Sequence, residues 1–291
     1  MKAGGEHMVM INYLIATINE FDNEHNIFVS LRRQKCQKFN VIIVHQGDKA
    51  FDFSLLDGLN FMYINTKNYG LSYARNLGIS KCEAPYISIL DDDASIEPSY
   101  TDSLLNKFDS VLCDGVCGVV LDPLTAKPLS RSLVKNRSFS MDRADYNYFM
   151  SSAVTLKTQI LKSNYFDEDF GIGALYGASE ETDIFWRVVG NYSLAYDPQI
   201  IVYHPSDNHK IAQMSLKKIF YRGFNYGLGR GAVIKKHTST SSWFFYVYFK
   251  SISLLFLVLF YDIFSFNFKF FIRDIGSLIG RLLGFLRYSR F

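Results

Sequence analysis

Three adjacent carboxylates, Asp91-Asp92-Asp93, close an apolar run at 85–90 and precede Ala94-Ser95. Packed together without compensation they would repel one another and raise each other's pKa. A divalent cation removes that cost, and hard oxygen ligands at alternate positions suit Mg2+ or Mn2+, which in turn grip a diphosphate. An acidic first turn of a helix would look similar, because Asp is favoured there anyway. The position at the end of a buried strand argues for the ligand role. Two further groups could do chemistry. Glu180 and Glu181 follow a stretch containing Gly171, Gly173 and Gly177, which is how a fixed carboxylate is delivered to a cavity as a general base. His204 stands at the end of another apolar run and could ligate a metal as neutral imidazole.

These groups need a frame. Residues 10–17, 41–44, 60–64, 85–90 and 200–203 read as short strands, and 24–36, 71–80, a stretch from Pro98 and 179–190 as helices. Strands alternating with helices predict an α/β fold: a mostly parallel sheet with helices on both faces. Ligands of such sheets sit beyond the C-terminal strand ends. Thr17 with Asn19, His45 with Gln46, and Asp91 to Asp93 therefore converge on one edge. Residues 122–147, polar and carrying Pro123 and Pro128, read as a loop over the site with acceptor binding as its use.

Charge divides the chain. Residues 209–291 hold 13 Lys/Arg against two Asp/Glu, which leaves 18 against 26 for residues 1–208. The natural division is a catalytic domain at 1–208 and a basic, aromatic-rich helical extension at 209–291. Between Trp243 and Phe271, a stretch dominated by Phe, Leu, Ile and Tyr, the longest uncharged run, Ser251–Tyr261, has 11 residues. A standard transmembrane helix needs about 20. Interleaved Arg, Phe and Leu instead suit a segment lying in the interface of an anionic membrane. The glycine-rich stretch at 223–231 is weak as a phosphate loop, since no strand precedes it. Cys36, Cys82, Cys113 and Cys117 form no disulfide framework and read as thiols in a reducing compartment. The first ten residues lack the apolar core of a signal peptide.

Taken in order, these segments resemble the family 2 glycosyltransferases of the GT-A fold. The resemblance covers about residues 10–208. It rests on the opening strand with Thr17 and Asn19, the NxGxSxARNxGI run at 68–79, the DDD at 91–93, FDExFGxG at 166–173, the acidic run to Arg187 at 180–187, and His204. It implies a nucleotide-diphosphate-sugar donor held by Thr17, Asn19, Gln46, Asn68, Arg75, Asp91 and Asp92. Thr17 and Asn19 would line the nucleoside pocket, and Arg75 would contact the donor. A Mn2+ or Mg2+ ion would be held by Asp91, Asp93 and His204. Glu181 falls where the family carries its catalytic Asp, with Glu180 as the rival. His45 stands where the family commonly has an Asp against the base, which loosens the expectation of a uridine nucleotide.

The expected activity is inverting transfer of a sugar, UDP-hexose favoured, to a hydroxyl of a lipid-linked or growing polysaccharide acceptor. The expected place is the cytoplasmic face of the cell membrane, peripheral or interfacial, with no nucleic-acid partner and a homo-oligomer left open. The alternative is an inactive GT-A fold kept as a membrane-associated binding or scaffold protein, for which the residues at 45 and 181 are the support. A nucleotidyltransferase would need a glycine-rich loop after the first strand, and Ala16-Thr17-Ile18-Asn19 is not one. A chain cut before residue 238 is expected to keep its site residues.

Overall fold

The computed structural model describes residues 8–18, 27–129, 135–206 and 211–289. Asn19 lies outside them. The chain divides into two compact units. The first comprises residues 1–69, 73–166 and 184–205, and the second comprises 70–72, 167–183 and 206–291. Residues 70–72 and 167–183, which precede the expected boundary at 208, group with the second unit.

In the first unit, β1 (Ile11–Thr17), β2 (Phe39–Gln46), β3 (Phe61–Thr66) and β4 (Tyr86–Asp91) pair in parallel in the order β3-β2-β1-β4. The sheet continues through β8 (Val154–Lys157), β6 (Gly115–Leu121) and β9 (Leu194–Tyr203) to the two-residue β5 (Ser95–Ile96), and β7 (Phe139–Ser140) pairs with β9. Strand β8, which leads into α4 (Thr158–Ser163), is antiparallel to both β4 and β6, whereas β9 is parallel to β6. Consequently β1, β2, β4 and β9 all end at the same edge. Their last residues deliver Thr17, Gln46, Asp91 and, one step on, His204.

The alternation along β1 decides how helices cover the sheet. Ile11, Tyr13 and Ile15 enter one core with α1 (Ile27–Arg32) and α3 (Tyr100–Ser110). Leu14 points the other way, where α2 (Leu71–Lys81) lies so close that a Cβ on Gly78 would stand 2.2 Å from its Cδ1 and 3.1 Å from Val44 Cγ2. No residue but glycine fits there without displacing the helix.

Strand β9 begins six residues before the expected 200–203 run. Asp197-Pro198-Gln199 breaks the apolar pattern, and the structure accommodates it with a register shift against β6 between Cys117 and Val119. A Cβ on Gly118 would sit 2.3 Å from the Ile200 carbonyl oxygen. Lys107 of α3 holds the irregular segment through Asp197 at 2.7 Å. The 122–147 segment contains β7 and a 3-10 helix at Arg143–Tyr148 capped by Asp142, so part of it is regular.

In the second unit, α6 (Leu216–His237), α7 (Trp243–Phe264) and α8 (Phe268–Arg287) are long helices. Helices α6 and α8 run parallel, in contact through glycines. A Cβ on Gly223, Gly227 or Gly231 would meet the carbonyl oxygens of Arg273, Ser277 or Arg281 at 1.9–2.1 Å, and Gly276, Gly280 and Gly284 meet those of Phe220, Phe224 and Leu228 at 2.1–2.4 Å. The glycine-rich stretch is therefore a helix-packing face rather than a phosphate loop.

Candidate active site

At the shared strand edge of the first unit, the three carboxylates have different partners. Thr17 Oγ1 donates to Asp92 Oδ2 at 2.6 Å. Burial raises the Asp92 carboxyl to about 6 against the opposing Thr17 hydroxyl, with the neighbouring Asp93 and Asp91 charges adding to the rise. Asp91 pairs with Arg75, whose Nη2 lies 3.1 Å from Oδ1. Arg75 is only 1% exposed, also donates to Ser151 Oγ at 3.2 Å, and lies over the Phe166 ring. His204 completes the cluster. Its Nε2 is 2.9 Å from Asp93 and 3.7 Å from Asp91, and its Nδ1 faces the Pro205 carbonyl at 2.9 Å. Burial alone would lower the imidazole pKa, but the bond to Asp93 and the charges of both aspartates outweigh it and raise it to about 9.

Beside Thr17, its register partner His45 is fully buried at the end of β2. Tyr63 Oη at 2.8 Å and Asn65 Nδ2 at 3.3 Å both face Nδ1. Asn65 Nδ2 also donates to the Gly47 carbonyl at 3.0 Å, and the buried Nε2 of His45 has no hydrogen-bond partner. Burial lowers the His45 pKa, keeping the ring neutral.

The acidic helix start belongs to the second unit. α5 (Glu180–Val188) opens there, after Ser179 in a left-handed conformation at φ 76°. Glu180 is buried and Glu181 half-buried. Asp183 is wholly buried, and the last turn of α6 holds it, with Lys236 Nζ at 2.7 Å and His237 Nε2 at 2.9 Å. Lys236 also reaches Asp167 at 2.6 Å, and Arg230 donates to Thr182 Oγ1 at 3.1 Å. The glycine-rich loop before α5 docks on 70–72: Leu71 N donates to Ile172 O at 2.9 Å and Ser72 Oγ to Phe170 O at 2.5 Å. Gly171, at φ 104°, leaves room for no Cβ, which would stand 2.9 Å from Ser72 Oγ and 3.4 Å from the Glu180 carboxylate.

A family model, Glycosyl transferase family 2, matches residues 13–149, the stretch that builds this edge from β1 to Asp91–Asp93. Over that stretch the chain is recognised as similar to glycosyltransferase family 2. Among relatives, a teichoic acid poly(glycerol phosphate) polymerase of Staphylococcus epidermidis is 28% identical over 127 residues, 41% of this chain and 16% of that protein. Glycosyltransferase GlyA of Streptococcus pneumoniae is 28% identical over 95 residues, 31% of this chain and 14% of that protein. The chain thus matches less than a fifth of the length of either relative. Crystal structures of TarS residues 1–349 from S. aureus share the fold. One has a TM-score of 0.56 at 15% identity, covering 70% of this chain and 62% of that one. Another, in complex with UDP-GlcNAc, has a TM-score of 0.56 at 14% identity, covering 77% and 65%.

Within the matched stretch and at His204, residues that face the strand edge separate from residues that hold it in place. Thr17, Asp91, Asp92, Asp93 and His204 are gathered together, with buried Gln46 at the end of β2. Asn68 is exposed and bonds Tyr73 at 3.1 Å. Arg75, expected to contact the donor, is buried and turned onto Asp91, so any influence on a donor passes through that carboxylate. Ser72 does not cap α2 with its hydroxyl, which goes to the 170 carbonyl. Asn76 matches Phe166 like a second strand, accepting from its N at 2.8 Å and donating to its O at 2.9 Å. Sequence reasoning missed Ser151, and it placed Lys236 and His237 in a membrane-facing basic tail. Lys236 is instead a buried ion-pair partner, its side chain 8% exposed. No local signal betrays this, since the acids it meets are 53 and 69 positions away.

Proposed function

We propose that this enzyme is an inverting glycosyltransferase that moves a hexose from a UDP-linked donor to a hydroxyl of a lipid-linked or growing polysaccharide acceptor at a membrane surface. The observation that carries the reading is the convergence of Asp91, Asp93 and His204 beside the Thr17–Asp92 pair at one sheet edge. TarS, which shares the fold, has been crystallised with UDP and with UDP-GlcNAc, which supports a uridine-diphosphate sugar as the donor class.

Among the described residues no three His, Cys, Asp or Glu side chains form a ready metal cage. The chemistry of the edge nonetheless suits a hard divalent ion: His204 Nε2 lies 2.9 Å from Asp93 and 3.7 Å from Asp91, so one imidazole faces two carboxylates. Asp91, Asp93 and His204 would hold Mn2+ or Mg2+, which when bound would neutralise charge developing on the departing diphosphate. Arg75 fixes the Asp91 carboxylate, and Thr17 orients Asp92 toward the nucleoside side. Glu181 takes the proton of the acceptor hydroxyl, which displaces the nucleotide from the opposite face and inverts the anomeric centre. Glu180, the residue before Glu181, is the rival for that task.

A donor-hydrolysis screen across uridine, thymidine and guanosine diphosphate sugars with Mn2+ and Mg2+ tests the reading. Turnover of a uridine donor, lost in excess chelator and in Asp93→Asn, is expected. Full activity in excess chelator would remove the metal from the mechanism, and no turnover of any donor would favour a binding role.

A further inference from the structure

The second unit ends in a turn that is strained and apolar at once. Helices α7 and α8 are joined at 265–267, where Phe266 adopts φ 54°. A bulky aromatic in the left-handed region is a true outlier, and such outliers cluster where function demands them. The turn is well bonded, with Phe266 N on Ile263 O, Asn267 N on Asp262 O and Phe271 N on Asn267 O. It holds Phe266 93% exposed, between Phe264 at 78% and Phe268 at 59%. Water gives nothing back for either the strain or the exposure.

Basic side chains surround the same end. The glycine contacts set α6 residues 220–223 against α8 residues 273–276, so the first two turns of α6, with Lys217, Lys218 and Arg222, lie beside the first two turns of α8. Lys269 there bonds the Ala212 carbonyl at 2.6 Å. The acids nearby, Asp262 and Asp274, are buried, and Asp274 is gripped by both Nε and Nη2 of Arg273. An aromatic tip ringed by lysines is complementary to one surface, an anionic bilayer, where aromatic rings settle at headgroup level and each Lys is attracted to acidic lipid.

Helix α7 has 22 residues, and an 18-residue stretch of it has a mean hydropathy of 1.8, so it is long and apolar enough to cross a membrane. It does not run alone. Arg281 Nη1 on Ser251 O and Tyr248 stacked on Phe285 lay it antiparallel along α8. Crossing would draw Arg273, Asp274 and Arg281 toward the hydrocarbon, where each charged side chain is costly. Shallow entry, tip first, avoids that cost.

We propose that the Phe264–Phe268 turn is the part of the chain that enters an anionic bilayer, with Lys217, Lys218, Arg222 and Lys269 on the headgroups. This rests on the reading above that the acceptor is at a membrane. Phe266→Gly discriminates, because glycine adopts this φ freely. The full-length variant is expected to unfold at equal or higher urea concentration than wild type, yet to bind phosphatidylglycerol vesicles roughly ten-fold more weakly, as loss of one buried aromatic ring implies. Phe266→Trp, read against Trp186 and Trp243, is expected to shift its emission to the blue on those vesicles and to be quenched by lipids brominated near the headgroup. If the full chain sediments with vesicles while Phe266→Gly binds equally and Phe266→Trp stays unshifted, the tip assignment is overturned and the membrane reading survives. A full chain that sediments with no vesicle overturns both. Conversion of a dimer to monomer by Phe266→Gly, without change in vesicle binding, would assign the tip to a second copy and overturn the proposal. Soluble donor hydrolysis, followed in the same samples, reports on the transferase reading separately.

Discussion

Single residues at the strand edge act by different routes, and substitutions should separate them. Glu181→Gln removes a proton acceptor while keeping its size, so turnover should fall at least roughly a hundred-fold with donor binding almost unchanged. Steady-state kinetics checks this. If Glu180→Gln is dead and Glu181→Gln active, the base is one residue earlier. Arg75→Met takes away the buried partner of Asp91 without touching a donor, so both Mn2+ and donor affinity should fall, and Arg75→Lys should restore little, because lysine lacks the fork that reaches Asp91 and Ser151 together. Isothermal titration with Mn2+ distinguishes this from a simple loss of stability. The Asp triad was legible in sequence because acids ending an apolar run conflict with burial unless they have a use. The partner of Arg75 was not, because a basic residue on a helix near a ligand edge reads the same whether it faces ligand or protein. His45 shows the same limit. Its position was visible, but its tautomer depends on Tyr63 and Asn65, on the neighbouring strand.

Elements form where short-range pattern and long-range packing agree, and β1, β2, β3 and β4 were visible for that reason. β9 was half visible, since Asp197-Pro198-Gln199 is a poor strand sequence that persists because α3 supports it. Burial would raise the Asp197 carboxyl, but the Lys107 ammonium and the Gln199 N–H more than offset this and hold it below its ordinary value. A depressed folded pKa means that the pair stabilises above the unfolded carboxylate value near 4 and that this contribution is lost as pH falls through the depressed value. Lys107→Met should therefore cost about 3 kcal/mol at pH 7, as loss of one partner from a largely buried pair does. The deficit should shrink as pH falls through that depressed value, where wild type loses the contribution as well, and urea melts across pH check it. A constant deficit at all pH would mean that Lys107 acts through its methylenes. In the second unit, Gly171→Ala combines a forced left-handed φ with a Cβ against Ser72 Oγ. A cost of about 1–3 kcal/mol is expected from the backbone alone. Turnover should fall further than stability does, because the Glu180 carboxylate lies against the same position.

At the scale of the whole chain, sequence charge suggested a catalytic body with a detachable tail, and the structure argues against detachment. The unit that contains α6, α7 and α8 also contains residues 70–72 and 167–183, hence Glu180, Glu181 and Asp183. No composition shift marks that membership, because it arises from Lys236 and His237 meeting Asp183 across more than fifty positions. Helix α8 is joined to this arrangement twice. Its glycines let it lie directly on α6, and Tyr288, just beyond its end, packs 6.1 Å from Phe170 and 5.6 Å from Tyr176 in the loop before α5. A chain ending at residue 237 retains every proposed site residue by number, yet it exposes the glycine face of α6 and removes the cover of that loop. A helix with glycines at 223, 227, 229 and 231 has low intrinsic propensity and needs its neighbour to persist. The truncated protein should accordingly keep a folded first unit while residues 167–183 lose amide protection and donor turnover collapses. Hydrogen exchange on the two lengths, read at 167–183 against β1 and β2, measures this directly. Native-like protection of 167–183 together with full donor hydrolysis in the shorter chain would show that α7 and α8 are dispensable for the site, and would return them to the role of a separable anchor.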